Sequence, residues 1–349
     1  MGVTELGKLI PDSIRKAVDF MQLSNRIIAM DAYNALYQFL ASIRQPDGTP
    51  LMDTKGRITS HLSGLLYRTI NFLENRIWPV YVFDGKPPEE KTLEIVRRRR
   101  VREEAMDKWV KLLEEGKREE ARKYAQRALF LTDDMVEDAK KLLVLMGIPV
   151  VQAMADGEAQ AAVIAKEGKA WAAGSQDYDS LLFGAPRLVR NLAITGRRKL
   201  PNKDEYVEIR PEIIELNEIL RALKLKDRIQ LIDLAVLLGT DLNPDGVPGI
   251  GPQRALKLIQ EFGSLEKLLQ GPLKNAQFPM DPLKIRDYFL NPPYNPNYAI
   301  EFRQSDERGI IEFLVHEHDF NEERVRNAIE RLRKAMGKRR ESTLDSFFG

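Results

Sequence analysis

The 349-residue chain contains no cysteine and only three histidines. The first absence excludes disulfides, thiolate zinc centres and cysteine nucleophiles, and the second leaves little for imidazole ligands or imidazole acid–base chemistry. Any metal must then be held by oxygen. No apolar run reaches the ~20 residues of a membrane span, and the first residues lack the basic-then-apolar pattern of a secretory signal, so a protein working inside a cell is expected. Neither sign of charge dominates, with 54 Lys and Arg against 52 Asp and Glu. Partners must be inferred from where charges cluster. What is present suffices for a large core, since 43% of the residues are hydrophobic, in one big domain or two ordinary ones.

Short apolar runs recur at 26–30 (RIIAM), 78–83 (WPVYVF), 148–152 (IPVVQ) and 170–174 (AWAAG), each followed by a turn and an amphipathic stretch. This pattern predicts an α/β fold, a mostly parallel twisted central sheet with helices on both faces. Segment 86–128 differs in kind. It enters through Pro87-Pro88, carries many Arg, Lys and Glu and few large apolar residues, and reads as long exposed helix or partly mobile structure. Residues 229–263 read as helix, glycine-rich turn, helix, and 277–298, rich in Pro and Asn, as loop. A last charged helix is expected over 322–336. The tail 337–349 opens basic, ends in an apolar cluster and reads as flexible, and 1–336 reads as a single domain.

In a parallel α/β sheet, ligand chemistry gathers beyond the carboxyl ends of the strands. Asp31 follows the first run and Asp84 the second. Asp156 and Glu158 lie just past the third, Asp177 and Asp179 past the fourth, and Asp241 ends the apolar helix LIDLAVLLGTD. Converged on one edge, seven carboxylates would repel strongly unless divalent cations neutralised them, and oxygen-only ligands select Mg²⁺ or Mn²⁺. Against this stands plain N-capping, which explains any one acid at a helix start. It explains the set less well, because Asp177 and Asp179 flank one residue and cannot both be caps. Carboxylates facing two cations are suited to phosphodiester displacement.

The run 246–255 (GVPGIGPQRA) joins two helices through a turn whose exposed N–H groups suit a phosphate, a reading its place just after Asp241 strengthens, although tight helix packing would also account for the glycines. Such hairpins grip DNA backbone without reading sequence. Lys91, Arg97 to Arg100 and Arg102 form the densest basic patch. It is either a solvated face or a track for a single-stranded backbone.

The motifs Met30-Asp31-Ala32-Tyr33-Asn34, VFDGKPP at 82–88, GEAQAA at 157–162, SQDYDSLLFG at 175–184, and GTD at 239–241 followed by GIGPQRAL at 249–256 resemble those of the flap structure-specific endonuclease family in its archaeal form. The resemblance spans essentially the whole chain. It implies cleavage where a 5′ single-stranded flap meets duplex DNA, in replication and repair, with 5′-3′ exonuclease activity, by an intracellular, nucleoid-associated enzyme that is monomeric alone. It places two Mg²⁺ ions on the acids, one served mainly by Asp31, Asp84, Asp156 and Glu158, the other by Asp177, Asp179 and Asp241. It makes 86–128 a helical arch, with Lys91 and Arg98 at the scissile phosphate, and 229–263 a helix-hairpin-helix module. It adds Gly2, Tyr37, Arg44, Gly249 and Gly251 as DNA contacts; for Tyr37, a core aromatic remains an equal reading. The tail resembles a sliding-clamp motif through Glu341, Leu344, Phe347 and Phe348. Two departures stand out: Asp156 where the family usually has Glu, and Glu341 where the motif usually has Gln. A non-catalytic junction-binding scaffold remains the alternative, though it leaves the acids unexplained. An aspartate-nucleophile phosphatase expects Asp-x-Asp after the first strand, where Tyr33 stands instead.

Overall fold

The computed structural model describes residues 3–45, 49–86, 131–194, 196–199 and 206–348, with scattered positions between 100 and 124; for residue 4 and for 197–199, 206–207 and 338–348 it describes the backbone alone. Nine strands are described: β1 (Lys16–Ala17), β2 (Ile27–Asp31), β3 (Trp78–Phe83), β4 (Val150–Gln152), β5 (Ala172–Gly174), β6 (Arg187–Arg190), β7 (Gly196–Lys199), β8 (Tyr206–Ile209) and β9 (Glu212–Glu215). Seven of them form one sheet in the order β1-β9-β6-β5-β2-β3-β4, while β7 and β8 pair as a separate ribbon. The five strands from β6 to β4 run parallel, and β9 and β1 close one edge antiparallel. The expected parallel core is present. Its antiparallel edge and the ribbon carry no long apolar run and were not expected.

Each central strand divides its side chains between two apolar clusters. Ala29, Val80, Val82, Val151, Ala173 and Leu188 face one side, and Ile28, Met30, Tyr81, Phe83, Ala172 and Val189 the other. This period of two, with both faces apolar, is why the strands read as continuous hydrophobic runs. Each fully buried large apolar side chain contributes roughly 1.5–3 kcal/mol.

Helices α1 (Ala32–Ser42), α2 (Ser60–Glu74) and α3 (Asp133–Leu145) cover the face of Ile28 and Tyr81. The Thr132 hydroxyl caps α3 by accepting the Met135 N–H at 3.2 Å, and Asp133 and Asp134 in the first turn complement the helix dipole. The opposite face is covered by α4 (Gly157–Lys166), the short α5 (Asp179–Leu182), α6 (Leu216–Ala222) and α7 (Arg228–Leu238). Helix α7 ends at Gly239, with φ +111°. A turn then leads to α8 (Pro252–Phe262), which has Pro at its first position and left-handed Gly263 after its last. The short α9 (Leu265–Gln270) follows. The helix, glycine turn, helix expected over 229–263 is therefore present.

Two expectations need correction. Segment 277–298 is not all loop, since α10 (Pro282–Leu290) lies within it. Asp281 accepts the Leu283 N–H at 2.9 Å, Pro282 takes the first helical position, and Ile285 and Phe289, four apart, are buried. The surrounding prolines and asparagines hid one and a half apolar turns. After α11 (Glu307–Ile311), the final helix α12 (Glu322–Phe348) does not stop at Met336 but runs to the tail. No proline interrupts it, and Lys, Arg, Glu and Leu are good helix formers. Most of the 86–128 segment lies outside the described residues. Its described positions include an Arg100–Glu104 pair at 3.1 Å, four residues apart, as expected for helices interleaving bases with acids.

Candidate active site

The order β5-β2-β3-β4 sets the carboxyl ends of four parallel strands side by side, so the acids that follow them become neighbours. Asp31 is the last residue of β2 and is 8% exposed. It caps α1 by accepting the Asn34 N–H at 3.0 Å, and the Ser175 hydroxyl lies 3.5 Å from its other oxygen. Capping and chemistry are therefore not alternatives at this residue. Burial pushes the Asp31 carboxyl up to about 8, helped by the negative charges of Asp84 and Asp177 and opposed by the Asn34 N–H.

Asp84, just past β3, accepts the Gly157 N–H at 2.6 Å and so fastens the start of α4 to the sheet edge. Gly157 is required there, because a Cβ would stand 2.8 Å from the Asp84 oxygen and 3.1 Å from the Val82 carbonyl. Glu158, in the first turn of α4, is held well above the usual carboxylate range by burial, then by Asp179, Asp177 and Asp31, against the opposing hydrogen bond of Ser175. Asp177 receives the Asn34 side-chain amide at 3.4 Å. Asp179 is 4% exposed and accepts the Val3 N–H at 2.9 Å, tying the N-terminal segment to the site.

Five of the seven acids, Asp31, Asp84, Glu158, Asp177 and Asp179, thus act on one another through space. Asp156 occupies the N-cap position of α4 without capping it, and the Tyr288 hydroxyl donates to its carboxylate. Asp241 is half-buried in the turn after α7. Neither Asp156 nor Asp241 is among the leading charges on Asp31 or Glu158. As they lie, no three His, Asp or Glu side chains among the described residues are grouped so as to hold a metal ion. Two of the three histidines are used elsewhere: His318 is buried between Asp53 and Asp138, at 3.7 and 3.5 Å, and His61 is pushed down to about 4 by burial.

Tyr37 is half-buried on α1 and belongs to neither apolar cluster, whereas Tyr33 meets the Phe83 ring edge-on at 6.3 Å. The Arg44 side chain is half-buried, its Nε donating to the Ala41 carbonyl at 3.1 Å. Gly249 and Gly251 are exposed in the α7–α8 turn with open space where a Cβ would stand, Gly249 at φ +78°. Gly2, Lys91 and Arg98 lie outside the described residues, as do the side chains of Glu341, Leu344, Phe347 and Phe348. Sequence reasoning missed the polar groups around the acids. Ser175 sat within a motif already singled out, and Asn34 follows Asp31 at capping distance; Tyr288 sat in a stretch read as loop and gave no signal.

Residues 1–105 match the XPG N-terminal domain and residues 147–241 the XPG I-region. Flap endonuclease 1 of Caldivirga maquilingensis is 69% identical over 350 residues, covering all of both chains, and that of Pyrobaculum aerophilum 65% over 348 residues, again covering both. The chain belongs to the flap endonuclease family. A solved flap endonuclease from Methanococcus jannaschii, 42% identical, superposes with a TM-score of 0.75 over 97% of this chain and 100% of that one. The catalytic core of Rad2 in complex with DNA substrate, 24% identical with a TM-score of 0.68 over 95% of this chain and all of that one, shares the fold. This flap endonuclease is accordingly a structure-specific nuclease, a hydrolase of replication and repair. Nucleases of the family are metal-dependent. Among the described residues, no helix is long and apolar enough to cross a membrane.

Proposed function

We propose that this flap endonuclease cuts at the junction of a 5′ single-stranded flap with duplex DNA, using two Mg²⁺ ions held by Asp31, Asp84, Asp156, Glu158, Asp177, Asp179 and Asp241. The observation that carries this reading is the state of the buried acids, with Asp31 pushed up to about 8 and Glu158 well above its ordinary value by burial and by each other's charge. Like charges gathered out of water are costly unless neutralised, and their hydrogen-bond partners at Asp31 and Glu158 are backbone N–H and serine groups. An all-oxygen donor set fits Mg²⁺ or Mn²⁺. Paired ions, when bound, activate water and stabilise both the attacking and the leaving oxygen of the phosphodiester.

The chain's own residues supply the remaining tasks. Lys91 and Arg98 stabilise the charge that develops on the phosphate. Tyr37, outside the core, stacks on the nucleotide beside the cut. Gly2 and Arg44 contact the DNA near it. The open backbone at Gly249 and Gly251 leads into the N-terminus of α8, where N–H groups donate to a duplex phosphate and the helix dipole favours its charge. In the tail, Leu344, Phe347 and Phe348 stand at i, i+3 and i+4 of a helix, one face of a single turn suited to the pocket of a sliding clamp. Segment 86–128 serves as the arch, 229–263 as the duplex-gripping module and 337–349 as the clamp tether of an otherwise single-domain monomer. Labelled flap, blunt and single-stranded substrates with and without Mg²⁺ test the reading. Mg²⁺-dependent cutting at the flap junction is expected. Binding without cutting would leave a scaffold, and equal cutting of all three substrates would refute structure specificity.

A further inference from the structure

An Asp at a helix N-cap ordinarily folds onto its own first turn and accepts an N–H there. Asp156 does not. The N–H that opens α4, that of Gly157, is taken by Asp84 at 2.6 Å, and the Asp156 carboxylate accepts instead from the hydroxyl of Tyr288, 132 residues away in sequence. Tyr288 is itself held firmly. Its ring meets Phe183 edge-on at 5.9 Å and Phe289 at 6.1 Å, and Phe183 directly follows the helix that begins with Asp179. Helix α10, which carries it, is anchored in turn: Arg286 donates to Glu266 at 3.0 Å and approaches Asp233 of α7 at 3.5 Å, and Arg228 donates to the carbonyls of Leu182 and Phe289 at 2.7 and 3.1 Å.

We propose that Tyr288 is a positioning residue for metal binding, its hydroxyl fixing the orientation of the short Asp156 carboxylate at the start of α4. This rests on the two-ion reading given above. A hydrogen bond from an anchored donor fixes the orientation of a ligating carboxylate, and loss of such an outer partner lowers metal affinity by roughly 10- to 100-fold. It also explains a chemical mismatch within the site, since Asp156 reaches one methylene less far than Glu158 from the same helix start.

Mn²⁺ titration of the full-length protein without DNA, followed by calorimetry, tests the proposal. Tyr288→Phe keeps the ring and its contacts and removes only the hydroxyl. Mn²⁺ affinity should fall about 10-fold, and the Mg²⁺ concentration for half-maximal cleavage should rise in parallel, with the rate recovering at saturating Mg²⁺. In an Asp156→Glu background, where the longer side chain reaches further without guidance, the same change should cost less than about 3-fold, well under the range for loss of an outer partner. Unchanged Mn²⁺ affinity in Tyr288→Phe, or an equal loss in both backgrounds, would overturn the positioning role. Unchanged Mn²⁺ affinity in Asp156→Ala would instead overturn the assignment of Asp156 as a ligand, and the proposal with it.

Discussion

Replacing Asp31 with Asn should stabilise the metal-free protein while destroying its activity. The Asp31 carboxyl takes up its proton at an ordinary 3.8 when unfolded and at about 8 in the fold. Between those values the folded state binds more protons, so stability is present at low pH and is lost as pH rises through that window. Each pH unit costs about 1.4 kcal/mol, which at pH 7 is on the order of 4 kcal/mol. Because the charges of neighbouring acids contribute to that rise, roughly half to all of it should fall to Asp31. Asn keeps an acceptor oxygen for the Asn34 N–H, so the α1 cap survives and only the titration is removed. Urea unfolding in the presence of EDTA should therefore show Asp31→Asn more stable than the wild type by about 2–4 kcal/mol at pH 7, with the gap closing toward pH 4. Adding Mg²⁺ should stabilise the wild type and leave the variant nearly unmoved. No gain at pH 7, or a gain of the same size at pH 4, would refute the link between buried charge and metal binding.

The remaining predictions concern separate parts of the molecule. Asp179→Ala should abolish cleavage yet leave flap binding within a few-fold, because affinity comes mainly from phosphate contacts elsewhere; it should also cost about 1–3 kcal/mol through the orphaned Val3 N–H, and near-normal cutting would rule out Asp179 as a ligand. Lys91→Ala and Arg98→Ala should each slow single-turnover cleavage by roughly 10²- to 10³-fold with much smaller losses in binding; equal losses in both would make them backbone anchors. Gly246→Ala should destabilise by at least about 2 kcal/mol, since the residue sits at φ +57° with the Leu237 carbonyl oxygen 2.6 Å from where a Cβ would stand, and an unchanged melting temperature would contradict that geometry. Phe347→Ala with Phe348→Ala should eliminate clamp binding and clamp stimulation without touching clamp-independent cleavage, and Glu341→Gln should tighten it because an amide donates where a carboxylate cannot; calorimetry against the cognate clamp decides both.

Helix–turn–helix 229–263 and the four central strands were legible because each is written locally. Gly239, Pro252 and Gly263 punctuate the first, and unbroken apolar runs mark the second. Strand β9, with only Ile213 and Ile214 between two glutamates, forms because β6 is there to pair with it, and nothing within its own four residues demands a strand. Helix α10 was lost for a related reason. It is only nine residues long and set among prolines and asparagines, and its apolar residues mark a helix only against the partner surface that buries them.

The same division runs through the active site. Which residues are acidic, that they follow strands, and that no cysteine and little histidine stand beside them are properties of the chain in one dimension, and they suffice to exclude soft-ligand metals and to point toward hard cations. Whether each acid bears on its neighbours is a property of strand order. β5, β2, β3 and β4 are far apart in sequence yet adjacent in space, so burial lifts Asp31 to about 8 with help from the charges of Asp84 and Asp177, 53 and 146 positions away. The hydroxyl on Asp156 comes from 132 positions away, on a helix invisible until packed. Local propensity acts over a few residues, whereas desolvation and Coulomb interaction act over ångströms whatever the sequence separation, and only the folded chain turns the second kind of distance into the first.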